Sequence, residues 1–134
     1  MSPETAAHRQ HRPTTAVVLV VEDEAMVGEV VCAMLHMGGF ESILVRTPLE
    51  ALAVLADTSR HLDLLLTDHR MPDMTGLELI KRSQSLRPRL KTVLYSGNAD
   101  ESVVDNCWPR PDRFLRKPFK PNVLNELVSQ LLAG

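Results

Sequence analysis

The chain lacks several features that mark specialised classes of protein. It has only two cysteines, Cys32 and Cys107, which lie far apart and form no CxxC or zinc-type spacing. We therefore expect free thiols in a reducing compartment. No apolar run approaches the ~18 residues that a membrane-spanning helix needs, and the N-terminus has no apolar core of a signal peptide. These absences predict a cytoplasmic protein.

The chain also lacks an excess of either charge. Its net charge is −2 and its pI is about 6.2, so nothing draws it to nucleic acid or to an anionic membrane. Hydrophobic residues make up 44% of 134 residues, enough for one domain with a substantial core. Residues 1–15 are polar and without hydrophobic periodicity, which predicts a disordered arm or linker. Residues 16–134 form the predicted domain.

What the chain does have is an alternation of strand-like and helix-like segments. Gly38-Gly39 ends the first helical pattern, and Thr47-Pro48 is a typical start of the second. The pattern predicts strands over 16–21, 42–45, 62–67, 92–95 and 114–116, and helices over 25–37, 48–56, 76–85, 100–106 and 121–132. Five successive βα units predict a parallel sheet with helices on both faces. A ligand site is then expected beyond the carboxyl ends of the strands.

Polar residues stand at those carboxyl ends. Glu22 and Asp23 follow the first predicted strand, and Asp68 follows the third. Three carboxylates around one point repel each other unless a cation lies among them, and oxygen ligands of this kind suit Mg²⁺. Ser96 and Lys117 follow the fourth and fifth strands and can bind phosphoryl oxygens. The set predicts phosphoryl transfer with a carboxylate as the nucleophile.

Four motifs at these strand ends resemble those of the response-regulator receiver domains of two-component signalling. In chain order they are Val20-Val21-Glu22-Asp23-Glu24, Asp68-x-x-Met71-Pro72-x-Met74-x-Gly76, Tyr95-Ser96-Gly97 and Lys117-Pro118-Phe119. The resemblance covers residues 16–132. It implies a flavodoxin-like, doubly wound α/β fold with five parallel strands in the order 2-1-3-4-5 and helices on both faces.

The resemblance also implies a role for each residue at the site. Asp68 is expected to be the phosphoacceptor, and Lys117 to pair with the phosphoryl group. Ser96 and Phe114 are expected to be the switch residues that move after phosphorylation. The bond between Lys117 and Pro118 is expected to be cis.

A metal site follows from the same resemblance. Mg²⁺ (or Mn²⁺) is expected to bind Glu22, Asp23, Asp68 and the backbone carbonyl of Arg70. The long cationic side chain of Arg70, two residues beyond the phosphoacceptor, predicts slow loss of the phosphoryl group, and Asn98 holds the corresponding place after Ser96. His69 is expected to be an exposed loop histidine.

The function implied is that of a phosphorelay receiver, a signalling phosphoacceptor that is not an enzyme with a separate substrate. Its expected phosphodonor is a histidine kinase or a histidine phosphotransfer protein, and its output is a downstream protein that the sequence does not identify. A homodimer is compatible with the resemblance. No direct contact with nucleic acid or membrane is expected.

Other classes of protein fit the sequence less well. A pseudo-receiver, which binds proteins without phosphorylation, would be expected to lack some of the acids or the lysine, and all are present. An aspartate-nucleophile phosphatase needs a second acid two residues after the nucleophile, where Arg70 stands. A nucleotide-binding flavodoxin-like protein needs a phosphate-binding loop rich in glycine or hydroxyls, and none follows the first strand.

One segment departs from the family pattern. Pro109 and Pro111 cannot continue a helix, so the helix predicted over 100–106 should be short or partly unwound. This departure puts the usual dimerisation mode of the family in doubt. Trp108, the only tryptophan, is either a plug over the core or an exposed contact.

Overall fold

A computed structural model of the protein describes residues 15–97 and 110–134. Its strands are β1 (Val17–Val21), β2 (Glu41–Val45), β3 (Leu64–Asp68), β4 (Lys91–Ser96) and β5 (Arg113–Arg116). Its helices are α1 (Ala25–Met37), α2 (Pro48–Ala56), α3 (Gly76–Leu86) and α4 (Pro121–Ala133). The predictions for the N-terminal arm, the helix over 100–106, Asn98, Cys107, Trp108 and Pro109 lie outside the described residues.

The five strands form one parallel sheet in the order β2-β1-β3-β4-β5, which confirms the predicted fold class. Val21 at the end of β1 pairs with Val45 on one side and Thr67 on the other. Asp68 at the end of β3 pairs with Tyr95 of β4. The ends of the central strands therefore lie side by side, at the carboxyl edge of the sheet.

The core has two layers, one on each face of the sheet. On one face Leu19 and Leu65 pack with Ile80 of α3 and with the apolar side of α2. On the other face Val20 packs with Leu124 of α4 and with the apolar side of α1. Because both faces are covered, the central strands are continuous apolar runs instead of alternating ones.

Local signals set the helix ends as predicted. The side chain of Thr47 accepts a hydrogen bond from the backbone N–H of Glu50 at 3.1 Å, and Pro48 is the first residue of α2. After α1, Gly39 has a φ of 86°, a conformation that favours glycine. Cys32 of α1 is a free thiol.

The third strand was predicted to start at Leu62, and it starts two residues later. The reason is that the side chain of Asp63 bonds the backbone of a neighbouring strand. Asp63 Oδ2 accepts the backbone N–H of Val17 at 2.8 Å, and Asp112 Oδ2 accepts that of Thr92 at 2.8 Å. Each aspartate directly precedes a strand and completes the hydrogen bonding of its neighbour. Together they close the amino edge of the sheet, where the strands begin.

Arg87 joins α3 to the end of α2 near the same amino edge. Its guanidinium donates four hydrogen bonds, of 2.6 to 3.4 Å, to the backbone carbonyls of Val54, Leu55, Asp57 and Arg60. The last carbonyls of a helix have no partner within the helix. One arginine therefore supplies donors to the end of α2 and to the loop that follows it.

None of the helices in the described ranges is both long and apolar enough to cross a bilayer.

Candidate functional site

The predicted acids meet at the carboxyl edge. Glu22, directly after β1, is fully buried, Asp23 is half-buried, and Asp68 at the end of β3 is 7% exposed. One carboxylate oxygen from each lies within 4.8 Å of the others. Three carboxylates that the sequence separates by up to 46 positions thus form one cluster.

Gly76 explains the spacing of the motif that begins at Asp68. Its N–H bonds the carbonyl of His69 at 2.9 Å, so α3 starts tight against the loop that leaves β3. A Cβ at Gly76 would overlap the backbone carbonyl oxygen of Asp68 and crowd a methyl of Leu94. Only glycine allows this approach, and the approach fixes the backbone of Asp68.

Lys117 brings a cation to the cluster from the loop after β5. Its Nζ lies 3.3 Å from Glu22 Oε1 and 3.5 Å from Asp68 Oδ2. The backbone N–H of Lys117 bonds the carbonyl of Ser96 at 3.0 Å, and its bond to Pro118 is cis. The end of β4 therefore holds the lysine at the acids.

The two predicted switch residues occupy different environments. Ser96 is the last residue of β4, 3% exposed, and directly follows the partner of Asp68 in the sheet. Phe114 of β5 pairs with Leu94 and packs, half-buried, against the core on the side of α2 and α3. Their movement after phosphorylation stays a prediction.

The environment of the cluster shifts the pKa values of Asp68 and Glu22 in opposite directions. The pKa of Asp68 is raised from its ordinary value of 3.8 to about 6, mainly by burial, which outweighs the opposing charge of Lys117 and is reinforced by the charge of Glu22. Burial also acts to raise the pKa of Glu22. There, hydrogen bonds from the Tyr95 hydroxyl and the Glu24 N–H, together with Lys117, outweigh burial and lower the pKa.

The donor set fits a hard divalent cation. All three side chains offer carboxylate oxygens, and the nearby Lys117 balances only one of their charges. Burial raises the pKa of Asp68 and so disfavours its ionised form, which a bound cation would stabilise. The side chain of Arg70 is exposed, and the role of its carbonyl as a ligand stays a prediction.

The expectation for His69 was right about its place in a loop, directly after β3, and wrong about its exposure. His69 is half-buried, and burial, followed by the charge of Arg70, lowers its pKa. Its backbone N–H bonds the carbonyl of Tyr95 at 3.2 Å, which continues the ladder between β3 and β4 and draws the residue inward. Its Nδ1 is buried and has no hydrogen-bond partner among the residues described.

The sequence analysis identified no role for Tyr95 at the site, and the structure gives it one. Its hydroxyl donates a 2.6 Å hydrogen bond to Glu22 Oε1, and its ring centre lies 4.6 Å from Lys117 Nζ. Phe119 packs edge-on against the same ring, with centroids 6.0 Å apart. A buried tyrosine needs a partner for its hydroxyl, which was the one available signal, but the sequence does not say which partner.

An apolar groove adjoins the site. It has a volume of about 340 Å³ between α1 and the loop from β5 to α4. Its lining consists of Met26, Val27, Val30, Val31, Met34, Tyr95, Lys117, Pro118 and Phe119. The groove therefore shares Tyr95 and Lys117 with the acid cluster.

The fold and this acid cluster define a flavodoxin-like α/β protein with its site at the switch point of strand order. Residues 18–129 match the response regulator receiver domain, and the chain belongs to this family. It is 30% identical to the phosphate regulon transcriptional regulatory protein PhoB of Pseudomonas aeruginosa over 119 residues, 87% of this chain and 50% of that protein. It is also 30% identical to the transcriptional regulatory protein FixJ of Rhizobium meliloti, covering 87% of this chain and 57% of FixJ.

The chain therefore spans about half the length of these curated relatives. Among solved structures, a CheY-like response regulator receiver domain protein from Methanospirillum hungatei superposes with a TM-score of 0.81 at 28% identity. That match covers 90% of this chain and 95% of the other.

Proposed function

We propose that this domain is a phosphorelay receiver that accepts a phosphoryl group on Asp68 in a Mg²⁺-dependent reaction. The observation that carries the proposal is the convergence at the carboxyl edge of three carboxylates, one oxygen of each within 4.8 Å of the others, with Lys117 3.3 Å from Glu22 and 3.5 Å from Asp68. The phosphodonor is a histidine kinase or a histidine phosphotransfer protein. The protein acts in the cytoplasm as a switch for a downstream partner and turns over no separate substrate.

The transfer forms an acyl phosphate. An oxygen of the Asp68 carboxylate attacks phosphorus, the bond from phosphorus to the donor's histidine nitrogen breaks, and that nitrogen keeps the electron pair and takes up a proton. With a pKa of about 6, Asp68 is ionised and nucleophilic at neutral pH. Lys117, already 3.5 Å from Asp68 Oδ2, then pairs with a phosphoryl oxygen.

The metal supplies charge neutralisation for the phosphoryl oxygens when it is bound, and Glu22, Asp23 and Asp68 would hold it. Ser96 closes on the phosphoryl group from the end of β4, and Phe114 follows that movement. The exposed guanidinium of Arg70 shields the product from water and prolongs its lifetime.

The proposal is tested by incubating the protein with Mg²⁺ and acetyl phosphate and measuring the intact mass. The wild-type protein should gain one phosphoryl group, and Asp68→Asn should gain none. Asp63→Asn is the matched control, because it changes an aspartate at the amino edge of the same sheet, and it should react normally. No adduct on the wild-type protein would overturn the proposal and favour a phosphorylation-independent binding module.

We further propose that the phosphodonor protein binds over the start of α1. Met26 and Val30 are 79% and 53% exposed, and both line the groove that reaches Lys117. A donor histidine must approach Asp68 at the carboxyl edge, and this apolar surface is continuous with that edge. A helix with an apolar face is the partner that such a groove fits.

Two methionines of α1 allow a matched test of this surface. The donor is a kinase that phosphorylates the wild-type protein. Met26→Ser should lower the rate of phosphotransfer from it about fivefold, since an exposed anchor contributes about 1 kcal/mol. Met37→Ser changes an equally exposed methionine at the far end of α1 and should have little effect. Labelling by acetyl phosphate should be the same in both variants. Equal slowing by both would contradict the placement of the partner.

A further inference from the structure

Glu22 is an anion with no access to water whose two oxygens are both held by the protein. Its Oε2 accepts the backbone N–H of Glu24 at 3.1 Å. Its Oε1 accepts the Tyr95 hydroxyl at 2.6 Å and Lys117 Nζ at 3.3 Å. The tyrosine contact is the shortest of the three and fixes the orientation of the carboxylate about its own axis.

Lys117 is the less permanent of the two partners of Oε1. Its ammonium is shared between Glu22 and Asp68, and its side chain is 25% exposed. In the transfer proposed above, this ammonium pairs with the incoming phosphoryl group and gives up part of its contact with Glu22. Glu22 then depends on its other donors to stay in place.

Burial and packing hold the Tyr95 side chain in place. It is 0% exposed, and Phe119 packs edge-on against its ring. The ring also lies under the Lys117 ammonium, so the same residue supports the lysine through its face and the glutamate through its hydroxyl. A second hydrogen-bond partner of this kind orients a metal-binding carboxylate.

We propose that Tyr95 is a positioning residue for the divalent cation, whose hydroxyl holds Glu22 in the orientation in which the acid cluster binds Mg²⁺. The proposal rests on the proposed function in one respect, that a divalent cation binds Glu22, Asp23 and Asp68. It assigns to Tyr95 a role at the site beyond filling the core between the sheet and α1.

The test is calorimetric titration of Mg²⁺ into the unphosphorylated proteins. Tyr95→Phe keeps the ring and removes only the hydroxyl, and we expect its Kd for Mg²⁺ to rise about tenfold, as for other partners of metal ligands. Thr92→Val is the matched control. It removes another fully buried hydroxyl of β4, one that contacts Asp112 at the amino edge, and should leave the Kd unchanged.

A double-mutant cycle separates positioning from a general loosening of the core. In a Glu22→Gln background, Tyr95→Phe should change the Kd less than twofold, because the carboxylate that the hydroxyl orients is gone. The same tenfold factor in both backgrounds, or an unchanged Kd in Tyr95→Phe alone, would overturn the proposal.

A measurement on the wild-type protein covers the case in which Tyr95→Phe does not fold. Tyr95 is the only tyrosine, so the Raman doublet of the tyrosine ring reports this one hydroxyl. The doublet should show that the hydroxyl donates a strong hydrogen bond both without and with Mg²⁺. A doublet that shows no strong donation in one or both of these states would overturn the proposal.

The outcomes for the two proposals are distinct. A wild-type protein that binds no Mg²⁺ would overturn both. If the wild-type protein binds Mg²⁺ and gains a phosphoryl group, and Tyr95→Phe binds Mg²⁺ with the same Kd, only the role of Tyr95 is overturned.

Discussion

The two edges of the sheet use the same residue types for opposite purposes. At the amino edge, Asp63 and Asp112 each accept a backbone N–H of a neighbouring strand. At the carboxyl edge, Glu22, Asp23 and Asp68 face one another, with Lys117 as the cation. The first arrangement stabilises the fold, and the second places like charges together.

The difference indicates where the domain accepts a cost in stability for its function. A carboxylate that receives a strand N–H completes hydrogen bonding that the fold needs in any case. The Asp68 carboxylate instead has its pKa raised to about 6, mainly by burial, so its ionised form destabilises the folded state. Binding of the proposed cation would offset this cost, since a ligand that binds only the folded state stabilises it.

The largest effect expected from this comparison is at the amino edge, in Arg87→Ala. Loss of four hydrogen bonds to the carbonyls at the end of α2 should lower the free energy of unfolding by about 3 kcal/mol, because the carbonyls lose a charged donor. Chemical denaturation measures this change. Mg²⁺ affinity and phosphorylation of the folded variant should be unchanged.

Arg89→Ala is the control, because Arg89 is an exposed arginine only two residues away, and we expect a change below about 0.5 kcal/mol. If both variants lose the same stability, the loss of a positive charge would account for the effect, and not the contacts of Arg87. The amino edge would then not be a purely structural edge.

The next effect has the opposite sign and belongs to the carboxyl edge. Without metal at pH 7.5, Asp68→Asn should be more stable than the wild-type protein by about 2–3 kcal/mol, since the pKa of Asp68 in the folded state lies about two units above its ordinary value, a shift that already includes the attraction of Lys117. Denaturation with and without Mg²⁺ measures the gain. Saturating Mg²⁺ should stabilise the wild-type protein and reduce or reverse the difference.

The pH dependence of that gain tests its cause. The pKa of Asp68 is raised in the folded state, so the cost of ionising it is fully present above about pH 6 and is lost as the pH falls towards 3.8. The advantage of Asp68→Asn should therefore shrink by at most ~1.4 kcal/mol per pH unit in this range. An advantage that does not change between pH 7.5 and pH 4.5 would contradict an electrostatic origin.

Much of this comparison could be predicted from the sequence, because its signals are local. Continuous apolar runs indicate buried parallel strands, and acids directly after two such runs must lie at the carboxyl edge. Thr47-Pro48 and Gly38-Gly39 set helix ends through their own backbone preferences. None of these inferences requires knowing which distant residues touch.

The remaining features depend on contacts that no local pattern encodes. Tyr95 bonds Glu22 across 73 positions of the chain, and an apolar strand position gives no sign of which acid its hydroxyl will reach. His69 was expected to be exposed because a polar side chain in the loop after a strand usually is. The proposed switch role of Phe114 concerns a difference between two states of the protein, which a local sequence pattern does not encode.

The smallest effect expected is at Asp63, and it shows what kind of interaction closes the amino edge. Asp63→Ala leaves the N–H of Val17 without its acceptor and should lower the free energy of unfolding by about 1 kcal/mol. Asp63→Asn retains an amide oxygen that can accept the same hydrogen bond, so it should cost only a few tenths of that amount, although it loses the charge that faces His61 at 3.0 Å. Denaturation at pH 7.5 measures both changes in the free energy of unfolding. A loss in Asp63→Asn as large as in Asp63→Ala would mean that charge matters at this edge too. The amino and carboxyl edges would then differ in degree and not in kind.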